Sequence, residues 1–264
     1  MQVKRYLMTL FLVFSPLYSK PLVSIISSVY KGDEFITLFL KNIVQQTIFD
    51  QCELILVNAH SPDNEEPIIL EYCKQYPNIV YVRLDHDPGL YAVWNYAIRE
   101  LAHGEFITNA NIDDYRFPGS IEIQVSFLKR YPAIDLVYGD SFIIKNPYTE
   151  TFFETEFSRN FMSNYHEFAL TTMVYCLPGP APLWRKSMHD TYGYFDETFF
   201  SSGDHEFWLR AVSQGAKFMK IPCIACIYYQ NINGLSTSPD EKKQQQRNKE
   251  NQYIHEHYSH IWSK

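Results

Sequence analysis

Short apolar strands alternate with helical patterns along the first half of the chain, and this alternation is the strongest constraint on its fold. Residues 22–27, 53–57 and 79–84 are apolar runs rich in β-formers, and a fourth strand is predicted over residues 106–114. The helical patterns between them cover residues 34–46, 61–75 and 90–101. Strands and helices that alternate at this spacing predict βαβ units and a largely parallel sheet in a single α/β domain.

The polar end of the fourth predicted strand carries the main candidate site. Asp113 and Asp114 are adjacent there and are followed by Pro118. An open α/β sheet places its ligand at the carboxyl ends of its strands, and Mg²⁺ and Mn²⁺ take oxygen ligands from carboxylates, phosphates and water. Two acids in a turn can also simply end a strand, so the pair alone leaves both interpretations open.

Composition excludes several classes of protein. The 264 residues are 46% hydrophobic and 16% aromatic, which is enough for a sizeable core and argues against disorder. A net charge of -7 and a pI near 5.7 argue against a nucleic-acid binder. The domain has no apolar run long enough to predict an ordinary transmembrane helix.

Residues 1–20 have the layout of a secretory signal. Two basic residues precede an apolar run at residues 7–14, and the small residue Ser19 follows. Leu17 stands where a cleavage site prefers a small residue, so a hydrophobic extension that contacts the domain or a membrane surface stays open. The domain is expected to begin near Pro21, and the localisation stays open between secretory, periplasmic, membrane-attached and cytoplasmic.

Five cysteines occur without the spacing of a disulfide framework. Cys223 and Cys226 have redox-motif spacing, but they lie in an apolar run with no helix start after it. Two buried thiols in or beside a strand are therefore the favoured interpretation. No second Cys/His pair accompanies them, which argues against a zinc site.

The second half of the chain is less regular. Its predicted elements are a helix at residues 121–131, an extended segment at 134–144 and a proline-rich loop at 179–182. A helix opened by Asp204 and closed by Gly215 follows, and then a β-like run at 218–229. A capping-box pattern at 238–241 begins a polar helix that extends to residue 252 and is docked by Tyr253, Ile254 and Trp262.

Four motifs, in order, resemble those of the family-2 glycosyltransferases. VSIISSVYKGDEF (residues 23–35) resembles the family's first strand and nucleotide-facing loop, and LILVNAHSPD (54–63) its second strand and loop. DPGLYAVWNYAI (87–98) with GEFITNANIDD (104–114) resembles the helix and Asp-x-Asp metal motif, and SSGDHEFWLRA (201–211) the motif of the catalytic base.

The resemblance implies a GT-A fold, with a Rossmann-like, mixed, mostly parallel sheet flanked by helices in a single domain. It covers residues 21–238. Residues 1–20 would then be a signal peptide or hydrophobic extension, and residues 239–264 a polar helix docked on the domain.

The resemblance also implies roles for individual residues. Asp113, with Asp114 beside it, would hold Mn²⁺ or Mg²⁺ on the donor diphosphate, where the ion neutralises charge on the departing nucleoside diphosphate. Asp204 would be the catalytic base, although an aspartate at this position also fits an ordinary helix N-cap.

Other positions are implied to contact substrates. The predicted nucleotide contacts are Ser27, Tyr30, Asn58, Ser61 and Asn111. Trp184 and Arg185 follow the proline-rich loop, where they would touch donor or acceptor. A tryptophan there fits the core equally well.

Three departures from the family pattern bear on the donor. Asn111 replaces the first carboxylate of the Asp-x-Asp motif, Ala59 stands where the family often has an acid, and Gln230 and an asparagine stand where it often has Arg and His. Asp113 and Asp204 are retained. The resemblance therefore implies an active, metal-dependent enzyme of glycan or glycoconjugate synthesis. Such an enzyme transfers a sugar from a nucleoside-diphosphate sugar to an acceptor hydroxyl and inverts the anomeric configuration. The implied acceptor is a glycan, a lipid-linked molecule or a protein.

Three rival functions make different demands. A sugar nucleotidyltransferase is expected to carry a Gly-rich, basic loop after its first strand, and residues 27–30 lack one. An EF-hand would need Gly in place of Asp114 and Glu in place of Ser120. The remaining alternative is a non-catalytic glycosyltransferase-like protein that binds a nucleotide or a glycan.

Overall fold

The structure is a computed structural model that describes residues 20–150, 161–163 and 166–263, with only the backbone described for 161–163. Within these ranges nine strands form one sheet in the order β3-β2-β1-β4-β8-β6-β9-β5, and β7 pairs with β6. The strands are β1 (Val23–Val29), β2 (Cys52–Asn58), β3 (Ile79–Arg83), β4 (Phe106–Asn109), β5 (Tyr115–Arg116), β6 (Leu136–Ile144), β7 (Phe161–Ser163), β8 (Leu183–Arg185) and β9 (Phe218–Tyr229).

Helices cover both faces of this sheet. They are α1 (Ile36–Ile43), α2 (Glu66–Gln75), α3 (Leu90–Tyr96), α4 (Ser120–Arg130), α5 (Met188–Tyr192), α6 (Gly203–Ser213) and α7 (Glu241–Trp262), with 3₁₀ turns at Phe49–Gln51 and Leu170–Val174 and a π-helical turn at Ala97–Leu101. None of the helices described is both long and apolar enough to cross a membrane. The signal or membrane contact predicted for residues 1–20 lies outside the described residues, apart from Lys20.

Parallel pairing accounts for most of the register of the sheet. β1 pairs in parallel with both β2 and β4, β2 with β3, and β6 with β9. The short strands β8, β5 and β7 add antiparallel pairs. The predicted mixed, mostly parallel sheet flanked by helices is confirmed.

The fourth strand is shorter than predicted. It ends at Asn109, and the chain turns where the amide of Asp114 donates to the carbonyl of Asn111 at 3.2 Å. The prediction that this strand continues to Asp114 is therefore wrong, because the polar side chains from Asn111 onward leave the ladder and bond locally. Asp113 and Asp114 consequently lie in a turn beyond the strand.

Neighbouring side chains of β1 enter two different cores. Ile25 contributes to a core with Phe39 of α1, and Ile26 to a core with Trp184 and Trp208. All are almost fully buried. A strand covered on both faces is apolar throughout, which explains the continuous apolar run in the sequence.

A buried histidine lies in the aromatic core. His189 accepts a hydrogen bond at Nε2 from Trp184 Nε1 (3.0 Å), and its Nδ1 lies 3.0 Å from the carbonyl of Gly193. The first contact requires an unprotonated Nε2, and the second places the proton on Nδ1. Burial lowers the pKa of His189 to about 4, so the ring is neutral in the folded protein.

Acidification is expected to reduce the stability that depends on neutral His189. The unfolded chain takes up a proton near pH 6.5 and the folded chain only near pH 4, so the free energy of unfolding falls between these values by up to about 3 kcal/mol. His189→Asn has no imidazole at this position, so it lacks this pH-dependent contribution to stability. The loss of unfolding free energy in His189→Asn relative to the wild type, measured by urea denaturation, should be smaller at pH 4.5 than at pH 7. A deficit independent of pH would contradict a neutral buried ring.

The C-terminal helix α7 holds the segment that leads into α6. Glu250 accepts hydrogen bonds from the backbone amides of Phe200, Ser201 and Ser202, the last two at 3.0 Å. α7 continues well past residue 252 to Trp262, and its buried residues are Glu250, Ile254 and Ile261. Tyr253, predicted to dock the helix, contacts Phe199 with ring centroids 5.6 Å apart but is 40% exposed, because it lies about 100° around the helix from the buried Ile254.

Removing the Glu250 carboxylate is expected to destabilise the protein by about 2–3 kcal/mol, because three backbone donors lose a charged acceptor. Urea denaturation of Glu250→Ala measures this loss. Glu256→Ala makes the same change at an exposed position of α7 and should cost less than about 0.5 kcal/mol. Equal losses for the two variants would mean that the Glu250 contacts do not stabilise the fold.

Candidate functional site

The loops that follow β1, β2 and β4 meet at one edge of the sheet. The three strands are parallel neighbours with β1 in the centre, so their carboxyl ends point the same way. This edge is where an open α/β sheet binds ligands. The loops carry most of the predicted site residues.

Three predicted nucleotide-contact residues form hydrogen bonds within and between these loops. Ser27 donates to the carbonyl of Ala110 at 2.7 Å, Asn58 accepts from the amide of Ser61 at 2.8 Å, and Ser61 Oγ donates to Glu65 at 2.7 Å. All three are almost fully buried. Their side chains therefore shape the loops from within.

Two other predicted contacts keep more accessible side chains. Tyr30 is 42% exposed, and Asn111 is half-buried beside Asp114. These two are the members of the predicted nucleotide set that a ligand reaches most readily.

The first two loops turn through left-handed residues that carry side chains. Lys31 has φ of 52° and His60 has φ of 57°. Residues other than glycine adopt this region rarely and at a cost in energy, and such residues cluster at binding sites. The amide of Lys31 donates to Ser61 Oγ at 2.9 Å, so one loop holds the strained turn of the other.

Asp113 and Asp114 are placed differently in the turn after β4. Both oxygens of Asp114 accept hydrogen bonds, from Asn111 Nδ2 at 3.0 Å and from the amide of Tyr229 at 2.9 Å. Asp113 accepts one side-chain hydrogen bond, from Asn231 Nδ2 to Oδ2 at 3.0 Å. Asp113 is thus the better placed of the two for an ion, and Asp114 anchors the turn.

The electrostatics of this turn fit a cation. Burial raises the pKa of Asp113, and burial together with the charge of Asp113 raises the pKa of Asp114 well above its usual value. Among the described residues, neither carboxylate forms an ion pair. A divalent cation would offset the cost of two adjacent, partly desolvated carboxylates.

A second group of carboxylates lies at the ends of β1 and β2. Oxygens of Asp33, Asp63 and Glu65 lie within 4.8 Å of one another. The two aspartates are exposed, whereas Glu65 is buried and accepts from the amide of Gly32 at 2.7 Å. These residues also offer oxygen ligands to a cation.

The predicted base, Asp204, lies in the first turn of α6. The N-cap position is Ser202, so Asp204 is not the N-cap. Tyr91 Oη donates to Asp204 Oδ1 at 3.1 Å, and the Cys176 thiol lies 3.7 Å from Oδ2. Burial raises the pKa of Asp204, while the amide of His205 and these two donors counteract the rise.

The segment at residues 176–180 connects the two acidic centres, because Cys176 contacts Asp204 at 3.7 Å and the carbonyl of Pro180 accepts from Asn109 Nδ2, at the end of β4, at 3.0 Å. The side chain of Tyr228 on β9 also responds to both centres. Burial raises the pKa of its phenol, and the charges of Asp114, Asp113 and Asp204 raise it further. One side chain therefore senses both the carboxylates after β4 and the carboxylate on α6. The fold brings together acids that are 90 residues apart in sequence.

A buried arginine beneath the turn connects its surroundings. The guanidinium of Arg116 donates to Thr108 Oγ1 (2.7 Å), to the carbonyl of Asn109 (3.2 Å), and to Ser120, Gln124 and the carbonyl of Ala181. The residue is 3% exposed, and each acceptor is neutral. Arg116 thus ties the end of β4 to the start of α4 and to the proline-rich loop.

The predicted contact of Trp184 with donor or acceptor is wrong. Its side chain is fully buried in the aromatic core. Arg185 donates to the carbonyls of Ile134 and Leu128 at 2.9 and 2.6 Å, so it is occupied within the fold. β8 is covered on both faces, with Leu183 in one core and Trp184 in the other, so neither side chain is open to a ligand.

The sequence profile described as Glycosyl transferase family 2 matches residues 24–191, which contain the first three loops of the site. The chain belongs to this family. The predicted family and the predicted class of enzyme, a glycosyltransferase, are both confirmed.

The chain is similar in sequence to bacterial proteins over different lengths. The uncharacterized glycosyltransferase YwdF of Bacillus subtilis is 27% identical over 224 residues, which is 83% of this chain and 78% of YwdF. The minor teichoic acid biosynthesis protein GgaB of the same organism is 33% identical over 116 residues, or 43% of this chain. The matched region is only 13% of the length of GgaB.

Solved glycosyltransferases share the fold. TarS of S. aureus (residues 1–349, in complex with UDP-GlcNAc) superposes with a TM-score of 0.65 at 18% identity, over 80% of this chain and 59% of that one. The mannosyltransferase PcManGT of Pyrobaculum calidifontis, in complex with GDP-Man and Mn²⁺, superposes with a TM-score of 0.60 at 18% identity. This superposition covers 83% of this chain and 60% of PcManGT. The GT-A architecture is therefore confirmed.

Four residues of this glycosyltransferase site were missed in the sequence. Arg116 and Asn231 contact the turn of Asp113, and Tyr91 and Cys176 contact Asp204. An arginine two residues after Asp114, in otherwise apolar surroundings, was a usable signal for Arg116. The other three come from distant segments, and nothing local marks them.

Replacing Arg116 by lysine is expected to cost about 3 kcal/mol or more, because a single ammonium cannot satisfy the acceptors that the guanidinium fork reaches. Urea denaturation measures the loss. Arg130→Lys, at an exposed position near the end of α4, should change stability by less than about 0.5 kcal/mol. A loss as small as that of the control would show that Arg116 is not the anchor of the turn.

Proposed function

We propose that this glycosyltransferase transfers a sugar from a nucleoside-diphosphate sugar to an acceptor hydroxyl, with a divalent cation at Asp113 and with Asp204 as the base. The observation that carries the proposal is the segment at residues 176–180, where Cys176 contacts Asp204 at 3.7 Å and the carbonyl of Pro180 accepts from Asn109 Nδ2, at the end of β4, at 3.0 Å. Donor activation and acceptor deprotonation must occur close together, and this segment connects the two acidic centres.

The donor lies along the edge formed by the loops after β1, β2 and β4. Tyr30 and Asn111 offer accessible side chains to the nucleotide, and Ser27, Asn58 and Ser61 hold the loops that surround it. Asp113 holds the cation, and Asp114 and Asn231 orient the turn. The bound Mn²⁺ or Mg²⁺ supplies positive charge to the leaving diphosphate.

The acceptor approaches from the side of α6. Its hydroxyl oxygen attacks the anomeric carbon, the bond from that carbon to the diphosphate oxygen breaks with its electron pair on the leaving group, and Asp204 receives the hydroxyl proton. A single displacement of this kind inverts the anomeric configuration. The relation to GgaB, whose name refers to teichoic acid biosynthesis, supports a hydroxyl-bearing glycan as acceptor.

A thermal-shift panel on the full chain tests the donor site. UDP, GDP, UDP-glucose, UDP-GlcNAc and GDP-mannose are each measured with and without Mn²⁺. A ligand at a hundred times its dissociation constant adds about 2.7 kcal/mol, which is a rise of roughly 5–10 °C in Tm for a chain of this size. One ligand is expected to stabilise the wild type only with Mn²⁺, and Asp113→Asn should abolish the effect.

The base is tested with the same donor. Asp204→Asn should keep the metal-dependent rise in Tm but release nucleoside diphosphate at least about a hundredfold more slowly, because general-base catalysis contributes on this scale. Asp50→Asn, a change at an exposed acid outside the site, should match the wild type in both assays. Binding without turnover in the wild type would favour the non-catalytic alternative, and the absence of any stabilisation would refute the donor site.

A further inference from the structure

Asp204 is held by side chains from two distant parts of the chain. Tyr91 of α3 donates to Oδ1 at 3.1 Å, and Cys176, after the 3₁₀ turn Leu170–Val174, lies 3.7 Å from Oδ2. A phenol is a good hydrogen-bond donor, whereas a thiol is a weak one. The two oxygens of the carboxylate are therefore held unequally.

The ring of Tyr91 is fixed in one position. It is 1% exposed and lies 5.6 Å from Trp94 and 5.8 Å from Phe195, measured between ring centroids. Gly203 makes this placement fit, because a Cβ there would lie 2.7 Å from the Tyr91 ring and 3.0 Å from Phe199. The hydroxyl of Tyr91 is thus aimed at Oδ1 by packing on three sides.

The turn before Cys176 is attached to the start of α6 at a second point. His205 Nε2 lies 2.9 Å from the carbonyl of Met173. The neighbouring Val174 and Tyr175 are 43% and 60% exposed. Oδ2 of Asp204 therefore faces a segment whose next residues are open to solvent, while Oδ1 faces the buried phenol.

We propose that Tyr91 is the positioning residue of Asp204, fixing Oδ1, and that Oδ2, beside the Cys176 thiol, is the oxygen that receives the acceptor proton. The proposal rests on the proposed role of Asp204 as the base. An acceptor hydroxyl displaces the weak thiol contact at low cost, whereas displacing the phenol would disturb the packed core.

The titratable groups that face Asp204 come from four elements. They are Tyr91 on α3, Cys176 after the 3₁₀ turn, His205 on α6 itself and Tyr228 on β9. The hydrogen bond from Tyr91 lowers the pKa of Asp204, against the rise that burial causes. The base works when ionised, so activity is present above its pKa and is lost as the pH falls through it. Loss of the phenol donor raises that pKa.

The pH profile of donor cleavage tests Tyr91. In Tyr91→Phe, release of nucleoside diphosphate from the stabilising donor should fall roughly tenfold or more at neutral pH, and the midpoint of the acidic limb should move to higher pH. Gly203→Ala should move it in the same direction by displacing the ring. Tyr131→Phe, at an exposed position after α4, should keep the wild-type profile. A rate reduced equally at every pH, with an unchanged midpoint, would overturn the positioning role.

The second oxygen is tested by changing the donor strength at residue 176. Cys176→Ser places a stronger hydroxyl donor near Oδ2 and should slow donor cleavage roughly tenfold more than Cys176→Ala, which leaves no donor there for the acceptor to displace. Cys73→Ala, a cysteine of α2, is the matched control for cysteine removal. A slow Cys176→Ala with an active Cys176→Ser would overturn the assignment of Oδ2.

A measurement without substrate separates this proposal from the proposed function. The charge of Asp204 adds to burial in raising the pKa of the Cys176 thiol. Asp204→Asn should therefore speed alkylation of Cys176 by iodoacetamide at pH 8 roughly tenfold, read by peptide mass mapping, with Cys73 unchanged. An unchanged rate at Cys176 would overturn the contact. If Asp204→Asn speeds alkylation of Cys176 but the wild type cleaves no donor of the panel, the contact is retained. Asp204 is then refuted as a base, and so is the role assigned to Oδ2.

Discussion

The guanidinium of Arg116 is the interaction on which the turn with Asp113 and Asp114 depends. It is a buried cation whose hydrogen-bond partners are all neutral, and those partners come from β4, the start of α4 and the loop before β8. Its backbone extends the connection, since Asn42 of α1 accepts from its amide at 2.7 Å and donates to its carbonyl at 2.8 Å. Burying a cation costs free energy unless its donors are satisfied, so these segments can only adopt positions that satisfy them. The turn with Asp113 is a direct continuation of this network.

The start of α6, which carries Asp204, is held in a different way. Asp204 begins a helix whose entry is fixed by Glu250, a residue of the last helix, through the amides of Phe200 to Ser202. Apolar packing around Tyr91 then sets the direction of its hydroxyl. One acidic centre thus depends on a satisfied buried cation, and the other on a buried carboxylate and aromatic contacts. The segment at residues 176–180 joins the two centres through Cys176, beside Asp204, and through the carbonyl of Pro180, which accepts from Asn109.

Local pattern was sufficient for most of the fold. β9 begins and ends where the apolar run predicts, and β2, β3 and α4 differ from their predicted bounds by about one residue. Periodicity works here because burial on one or both sides of a regular element repeats at a fixed interval. The errors fall where side chains outweigh that pattern, as at the end of β4, where Asn111 and Asp114 bond to each other. α7 shows a related limit, since Ile254 is buried as predicted, whereas the contacts of Glu250 with the entry to α6 were not predicted.

The sequence by itself determined the class of fold and the loops that meet at the ligand edge, and it predicted Asp113 and Asp204 as the candidate functional carboxylates. These conclusions rest on neighbours in the chain and on residue chemistry, which a sequence displays directly. Only the tertiary structure decided which oxygen of each carboxylate is occupied, that Ser27, Asn58 and Ser61 face inward, and that Trp184 belongs to the core. Burial and hydrogen-bond partners are set by segments far apart in the chain, such as Tyr91 and Asp204 or Asp113 and Asn231, and local spacing carries no record of those distances.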